Sequence, residues 1–264
     1  DDVLDVRTFE SFPGLRHVQR DLVAHLAASP SRFVLASRFT SRMHRLLRDA
    51  PARFEVMHLP ALEAADVQAL AQGFDGGRAW QAGDVAGSVA QLTGGRATYV
   101  VHLLEALGSL GPAVDPVAAL ASLLAPSGHL TARCRESYEF RLQRARGYGA
   151  LKAILGVLAE DEPRNLTEIA HALQRTPGST KDYLSWLEDV DLIVSRGKRY
   201  TFDDALLRLY VRLYGRPSPP TDDDVVREVG AFARARLPGP RDRVTPAAQA
   251  VEVTADANRS SGII

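Results

Sequence analysis

The 264-residue chain has one cysteine, Cys134, which excludes an internal disulfide framework and a cysteine-cluster zinc site. Lysine is nearly as scarce, with Lys152, Lys181 and Lys198 alone; arginine carries the rest of the positive charge. With abundant alanine and glycine, that skew reads as the mark of a GC-rich genome more than a chemical need. No apolar run reaches the roughly 18–20 residues that a membrane-spanning helix requires. Neither sign of charge is in excess, since 32 basic residues meet 32 acidic ones, and this argues against a histone-like nucleic-acid binder. The seven histidines are scattered, with no HxxxH or HExxH spacing, and there is no Gly-x-Ser-x-Gly elbow, so metalloprotease and serine-hydrolase chemistry have no foothold. The lone cysteine and the lack of an export-like leader lead us to expect a reducing, cytoplasmic setting.

What is present is a hydrophobic fraction of 45%, enough for a substantial core. Residues 1–60 alternate short apolar runs with amphipathic stretches. Leu15, Val18, Leu22, Val23 and Leu26 form one helical stripe. Arg32-Phe33-Val34-Leu35-Ala36-Ser37-Arg38 and Arg53-Phe54-Glu55-Val56-Met57-His58-Leu59 have the length and residue types of buried strands, with a short helix over 40–49 between them. This predicts a partial α/β layer; two strands alone do not make a stable covered sheet. Residues 61–130 read as helices only, punctuated by glycine and proline. Helical patterns cover 62–72, 82–92, 97–107 and 116–124.

Residues 131–215 have a different logic. The stretch 131–146 is the most basic in the chain, with Arg133, Arg135, Arg141, Arg144 and Arg146. Three further helices are expected. The first uses Leu151, Ile154, Leu155 and Leu158; the second is capped by Asn165 or Thr167; the third, capped by Ser179 or Thr180, carries Tyr183, Leu184, Leu187 and Val190. Two strand-like runs, Leu192-Ile193-Val194 and Arg199-Tyr200-Thr201-Phe202, flank a turn at Gly197. Helix, helix, turn, helix and hairpin is the order of a winged helix-turn-helix. A further helix over 204–214 closes it. Residues 216–264 read as a linker, a short helix opened by Asp222-Asp223-Asp224, and a tail expected to hold little fixed structure.

Three short motifs stand out: the acidic pair Asp1-Asp2, the apolar run ending in Ser37-Arg38, and Gly94-Gly95-Arg96 before a helix. Together with the order of parts, they resemble the latter half of an AAA+-like P-loop ATPase. The likeness is to the multidomain signal-transduction ATPases of bacteria and archaea and to the origin-recognition-like ATPases, over about four fifths of the chain. The resemblance implies a partial α/β P-loop core over 1–60, an all-α lid over 61–130 and a winged helix over 131–215. It makes Asp1 and Asp2 the Walker B acids, with Asp1 on the Mg²⁺ side and Asp2 at the water-activating position. Ser37 and Arg38 become the nucleotide sensor, where a guanidinium suits phosphate oxygens. Gly94, Gly95 and Arg96 become the nucleotide contact of the lid, although Ala97 stands where that family has proline. Read without the resemblance, Asp1-Asp2 is a solvated acidic terminus, Ser37-Arg38 an exposed strand end, and Gly94-Gly95 a junction between helices.

No Gly-x-x-x-x-Gly-Lys-[Ser/Thr] occurs in the chain, so phosphates would lack both the backbone cradle and the lysine. The expectation is therefore the C-terminal portion of an ATP- and Mg²⁺-dependent regulatory ATPase, inactive alone, that relays nucleotide state through the lid to the winged helix. A protein partner at the winged helix or tail is expected, and no membrane partner. The alternative is a winged-helix DNA-binding transcriptional regulator contacting DNA through Thr180, Lys181, Tyr183, Arg196, Lys198 and Arg199. Against DNA stands the balance of fourteen basic and thirteen acidic residues over 111–215, with Asp182, Glu188 and Asp189 on the recognition helix itself. A third possibility is a non-catalytic scaffold that keeps only the architecture.

Overall fold

The computed structural model describes residues 17–48, 54–75, 83–110, 115–143 and 147–237. Among them the chain is mostly helical, with twelve helices and one three-stranded sheet. Helices α1 (Val18–Ala28) and α2 (Thr40–Leu47) come first. Four more follow: α3 (Ala64–Asp75), α4 (Gly83–Thr93), α5 (Ala97–Leu110) and α6 (Pro116–Leu123). Then come α7 (His129–Gln143), α8 (Tyr148–Glu160), β1 (Arg164–Asn165), α9 (Leu166–Ala172) and α10 (Pro177–Asp189). The order ends with β2 (Ile193–Arg196), β3 (Arg199–Phe202), α11 (Ala205–Tyr214) and α12 (Asp222–Arg236). No helix among the described residues is long and apolar enough to cross a membrane.

The two strands expected in the first sixty residues do not form. Residues 32–38 and 54–59 have no regular secondary structure, and their apolar side chains face outward: Val34 is 98% exposed and Leu59 90%. The physical reason is the non-local nature of strands. Phe33, Val34 and Leu35 and the alternating 54–59 stretch supply propensity, but a ladder needs a neighbour for its N–H and C=O groups. The described strands all lie elsewhere, in the sheet β1-β3-β2.

The helices after residue 60 fall where apolar periodicity places them, because each buries a stripe against its neighbours. A single run of buried side chains extends from Phe39 through α3–α8 to Ala233 of α12. The centre is α11, which buries Leu206, Leu207, Leu209, Tyr210, Val211 and Leu213, each fully buried leucine contributing about 1.5–3 kcal/mol. Residues after 216 do more than link, since α12 buries Val225, Val229 and Ala233 and packs against α6 and α11. Its start is a capping box of Thr221 and Asp224, and its first turn is acidic, as the helix dipole favours.

The 148–214 segment keeps the expected element order. Asn165 caps α9 in a reciprocal box with Glu168. The α10 cap is Thr176, one turn earlier than Ser179 or Thr180, because Pro177 suits the first helical position and Thr176 Oγ1 accepts from the Ser179 amide. The hairpin pairs Ile193 with Phe202 and Arg196 with Arg199 around Gly197 and Lys198, both at positive φ. The third strand, β1, pairs antiparallel with β3 and is only two residues long, too short to leave a sequence signal.

Candidate functional site

Between α5, α7 and the start of α11 lies an open cavity of about 430 Å³. One wall is Arg96 with the first turn of α5: Ala97, Thr98 and Tyr99. A second is the α7 face bearing Arg133, Glu136, Ser137, Phe140 and Arg141. Arg38 and Phe39 approach from the chain before α2, and Asp204 closes the floor. Four guanidiniums thus meet two carboxylates, so the lining is net positive although the chain is neutral. The volume is that of an ordinary small-molecule site.

Each arginine has a distinct setting. Arg38 stacks its guanidinium over the Phe140 ring, 4.7 Å from the centroid, and Phe140 in turn stacks on buried Phe39. Arg133 pairs with Glu136 one turn on, at 2.9 Å. Arg96 donates from Nη2 to the Asp203 carboxylate (2.8 Å) and main-chain carbonyl (3.1 Å), and its Nε lies 3.4 Å from Asp204. Burial works against the Arg96 charge, but Asp204 and then Asp203 outweigh it and hold its pKa above the usual arginine value. Arg141 differs. It donates to the main-chain carbonyls of Val190 (3.2 Å) and Asp191, and burial, aided by the positive Arg96, lowers its pKa.

Beneath the cavity runs a buried polar chain. Tyr99 donates its hydroxyl to Asp204 at 2.7 Å, while the other Asp204 oxygen accepts from the Leu206 and Leu207 amides and caps α11. Burial and the Asp204 charge push the Tyr99 phenol up, so it stays protonated and donates. Cys134 Sγ sits 3.8 Å from the Tyr99 oxygen and is fully buried. The arginines near it in sequence do not make it reactive; burial, then Asp204, pushes its thiol up to about 12. Native protein at pH 8 should therefore react with a disulfide reagent at least about a hundred-fold more slowly than the protein in denaturant. A rapid native reaction would mean that the α5–α7 contact opens readily.

The structure brings two of the three motifs to this place. Arg38 and Arg96 line the cavity, whereas Ser37 does not; its Oγ accepts from the Phe39 amide and shapes the turn into α2. Gly94 and Gly95, at φ +61° and +65°, make the α4–α5 junction instead of lining the cavity. A Cβ on Gly95 would lie 2.3 Å from the Leu62 carbonyl oxygen. Asp1 and Asp2 lie outside the described residues. Among the described residues, no group of three or more His, Cys, Asp or Glu could hold a metal ion. Arg133, Arg141 and Tyr99 were not singled out for this site by their sequence context. The only signal was the concentration of arginine in α7.

Comparison with protein-family models, curated proteins and solved structures finds no match.

The residues expected to contact DNA are dispersed and partly engaged. Thr180 is fully buried and donates its hydroxyl to the Thr176 carbonyl, so it offers nothing to a groove. Tyr183 is half-buried, edge-on to Trp186 and 5.6 Å from the Arg175 guanidinium. Arg199 donates to the Pro163 carbonyl and lies 3.8 Å from Glu168. Lys181, Arg196 and Lys198 are exposed. The C-terminal end of α10 is covered by α2: Arg45 pairs with Asp189, and the Ser41 amide donates to Asp191 at 3.1 Å.

Proposed function

We propose that this chain is the sensing and output part of a regulatory P-loop ATPase of the signal-transduction type, one whose phosphate-cradling loop is not among these 264 residues. The observation that carries this reading is the convergence of Arg38 and Arg96, distant in sequence, on one net-positive cavity that also holds Arg133 and Arg141. Bound ATP would supply a polyphosphate anion whose charge and length change on hydrolysis. Arg38, over the Phe140 ring, contributes a guanidinium to the cavity lining, the group best suited to phosphate oxygens. The amides of Ala97, Thr98 and Tyr99 precede the first intrahelical bond of α5, from the Val100 amide to the Arg96 carbonyl. They add the partial positive charge of a helix start. Helices α8–α10 with the small sheet form, in this reading, a winged helix that acts as the output element. It acts on a protein partner, through its own surface or through residues after 237. Mg²⁺ would accompany ATP, with Asp1, which lies outside the described residues, as the ligand that the resemblance implies.

The engaged state of Thr180 and Arg199 weighs against DNA as the main partner. Two or three charge-assisted hydrogen bonds, set against the cost of association, put the expected ATP dissociation constant on the order of 0.1–1 mM. Titration calorimetry with MgATP should show this binding, with no hydrolysis, and Arg38→Ala should weaken it about ten-fold. No heat at about 10 mM ATP, together with a gel shift of random duplex at low salt, would replace this reading with the DNA-binding one.

A further inference from the structure

The two cavity arginines with the most defined contacts hold opposite ends of one element. Hairpin β2–β3 is entered through Val190 and Asp191 and left through Asp203 and Asp204, and its base is closed by the Asp203 amide donating to the Leu192 carbonyl at 3.2 Å. Arg141 reaches from α7 to the entry side, at the carbonyls of Val190 and Asp191. Arg96 reaches from the head of α5 to the exit side, at Asp203 and Asp204. Both guanidiniums also line the cavity.

We propose that a phosphate-bearing ligand in this cavity competes with the hairpin base for Arg141, so that occupancy releases the Val190–Asp191 end of the hairpin while the Asp203–Asp204 end stays held. The proposal rests on the reading of the cavity as a nucleotide-phosphate site and names how that site is coupled to the hairpin.

The asymmetry comes from what each arginine holds. Arg96 is bound by two carboxylates, so a phosphate offers it little that it lacks. Arg141 is bound by neutral carbonyls, and exchanging those for an ionised oxygen replaces neutral hydrogen bonds with charge-assisted ones roughly twice as strong. Its depressed pKa follows from burial, which the nearby Asp191, Asp204 and Asp203 charges offset only in part because none of those carboxylates hydrogen-bonds the guanidinium. The entry end is also the strained one. Asp191 has φ +50°, a left-handed conformation uncommon outside glycine, and it persists because its neighbours impose it. Those neighbours are Arg141 on its carbonyl, the Ser41 amide on its carboxylate, and the end of α10, where the Asp191 amide donates to the Glu188 carbonyl (3.0 Å) and the Leu192 amide to the Leu187 carbonyl (3.0 Å). Withdrawing Arg141 frees the Asp191 carbonyl, while the bonds at the end of α10 remain as the pivot's inner side. The hairpin then pivots about its Arg96-held end, and Lys198 and the exposed turn at its tip move relative to α7.

The test is hydrogen exchange on the full chain with and without sodium pyrophosphate, read by mass spectrometry, beside calorimetry of the same probe. Potassium chloride at matched ionic strength is the control. Saturating pyrophosphate should speed exchange over residues 191–196 about five- to ten-fold and leave 205–210 of α11 unchanged. Arg141→Met should show fast 191–196 exchange from the start, with no further response to the probe. Binding without faster exchange at 191–196 would overturn the coupling and leave the phosphate site standing. Binding that speeds 191–196 and 205–210 equally would also overturn it, since the hairpin would then be released at both ends. Absence of binding would overturn the site itself and the coupling with it.

Discussion

Replacing Asp204 with alanine is expected to lower the unfolding free energy by about 3–5 kcal/mol, because one buried carboxylate accepts three hydrogen bonds and pairs with a guanidinium. Its oxygens accept from the Leu206 and Leu207 amides and from Tyr99, and one lies 3.4 Å from Arg96 Nε as an ion pair. Alanine removes the α11 cap, a loss of about 1 kcal/mol on its own. It also leaves the Tyr99 hydroxyl buried without its acceptor and takes a counter-charge from half-buried Arg96. Helix α11 is the most enclosed in the molecule, so fraying at its start exposes Leu206 and Leu207. Asp204→Asn keeps an oxygen for the cap and should cost less than half as much. Urea unfolding followed by circular dichroism distinguishes the two. A loss below about 1 kcal/mol for alanine would mean that water replaces the carboxylate and that the chain from Cys134 to α11 is not structural.

The glycine pair at the α4–α5 junction gives the second large effect. Gly95→Ala should destabilise by about 3 kcal/mol or more, and Gly94→Ala by only about 1 kcal/mol. Both residues have positive φ, but a Cβ on Gly94 meets open space. At Gly95 it would strike the Leu62 main chain, which cannot withdraw without losing the bond from the Leu62 amide to the Gly95 carbonyl, 2.8 Å long. The requirement for glycine here thus follows from the approach of the segment before α3, whatever these helices bind. Equal effects at the two positions would show that the left-handed conformation alone sets the cost and that the Leu62 contact yields. If Gly95→Ala folds normally but loses ATP binding, the glycine has the ligand-contact role that its resemblance to a nucleotide-binding lid implies.

Much of the fold after residue 60 was legible because its determinants are local. The stripe Leu151, Ile154, Leu155 and Leu158 declares α8, the cap candidate Asn165 before Ile169, Ala170 and Leu173 declares α9, and Gly197 between β-forming runs declares the hairpin. Strand β1 was not legible, since Arg164–Asn165 gains its ladder only from β3. Residues 32–38 and 54–59 failed the other way: an apolar run of strand formers and an alternating stretch promised strands, yet a strand exists only beside another. Arg38 and Arg96 carried a sequence signal through their motif context. Arg133 and Arg141 carried one only as part of a basic helix, because their shared cavity depends on how α7 lies against α5 and α11. Asp204 read only as the first residue of the closing helix and is the hub beneath that cavity.

The central claim is that the four-arginine cavity takes a phosphate-bearing nucleotide. A crystal structure of the chain grown with a slowly hydrolysed thiophosphate analogue of ATP tests it most directly, the sulfur marking the terminal phosphate by its anomalous signal. The account predicts that signal within hydrogen-bonding reach of the Arg38 guanidinium, beside the first turn of α5, with Arg141 turned from Val190 toward the ligand. A saturated crystal with the signal outside this cavity, or with the cavity empty, would contradict it.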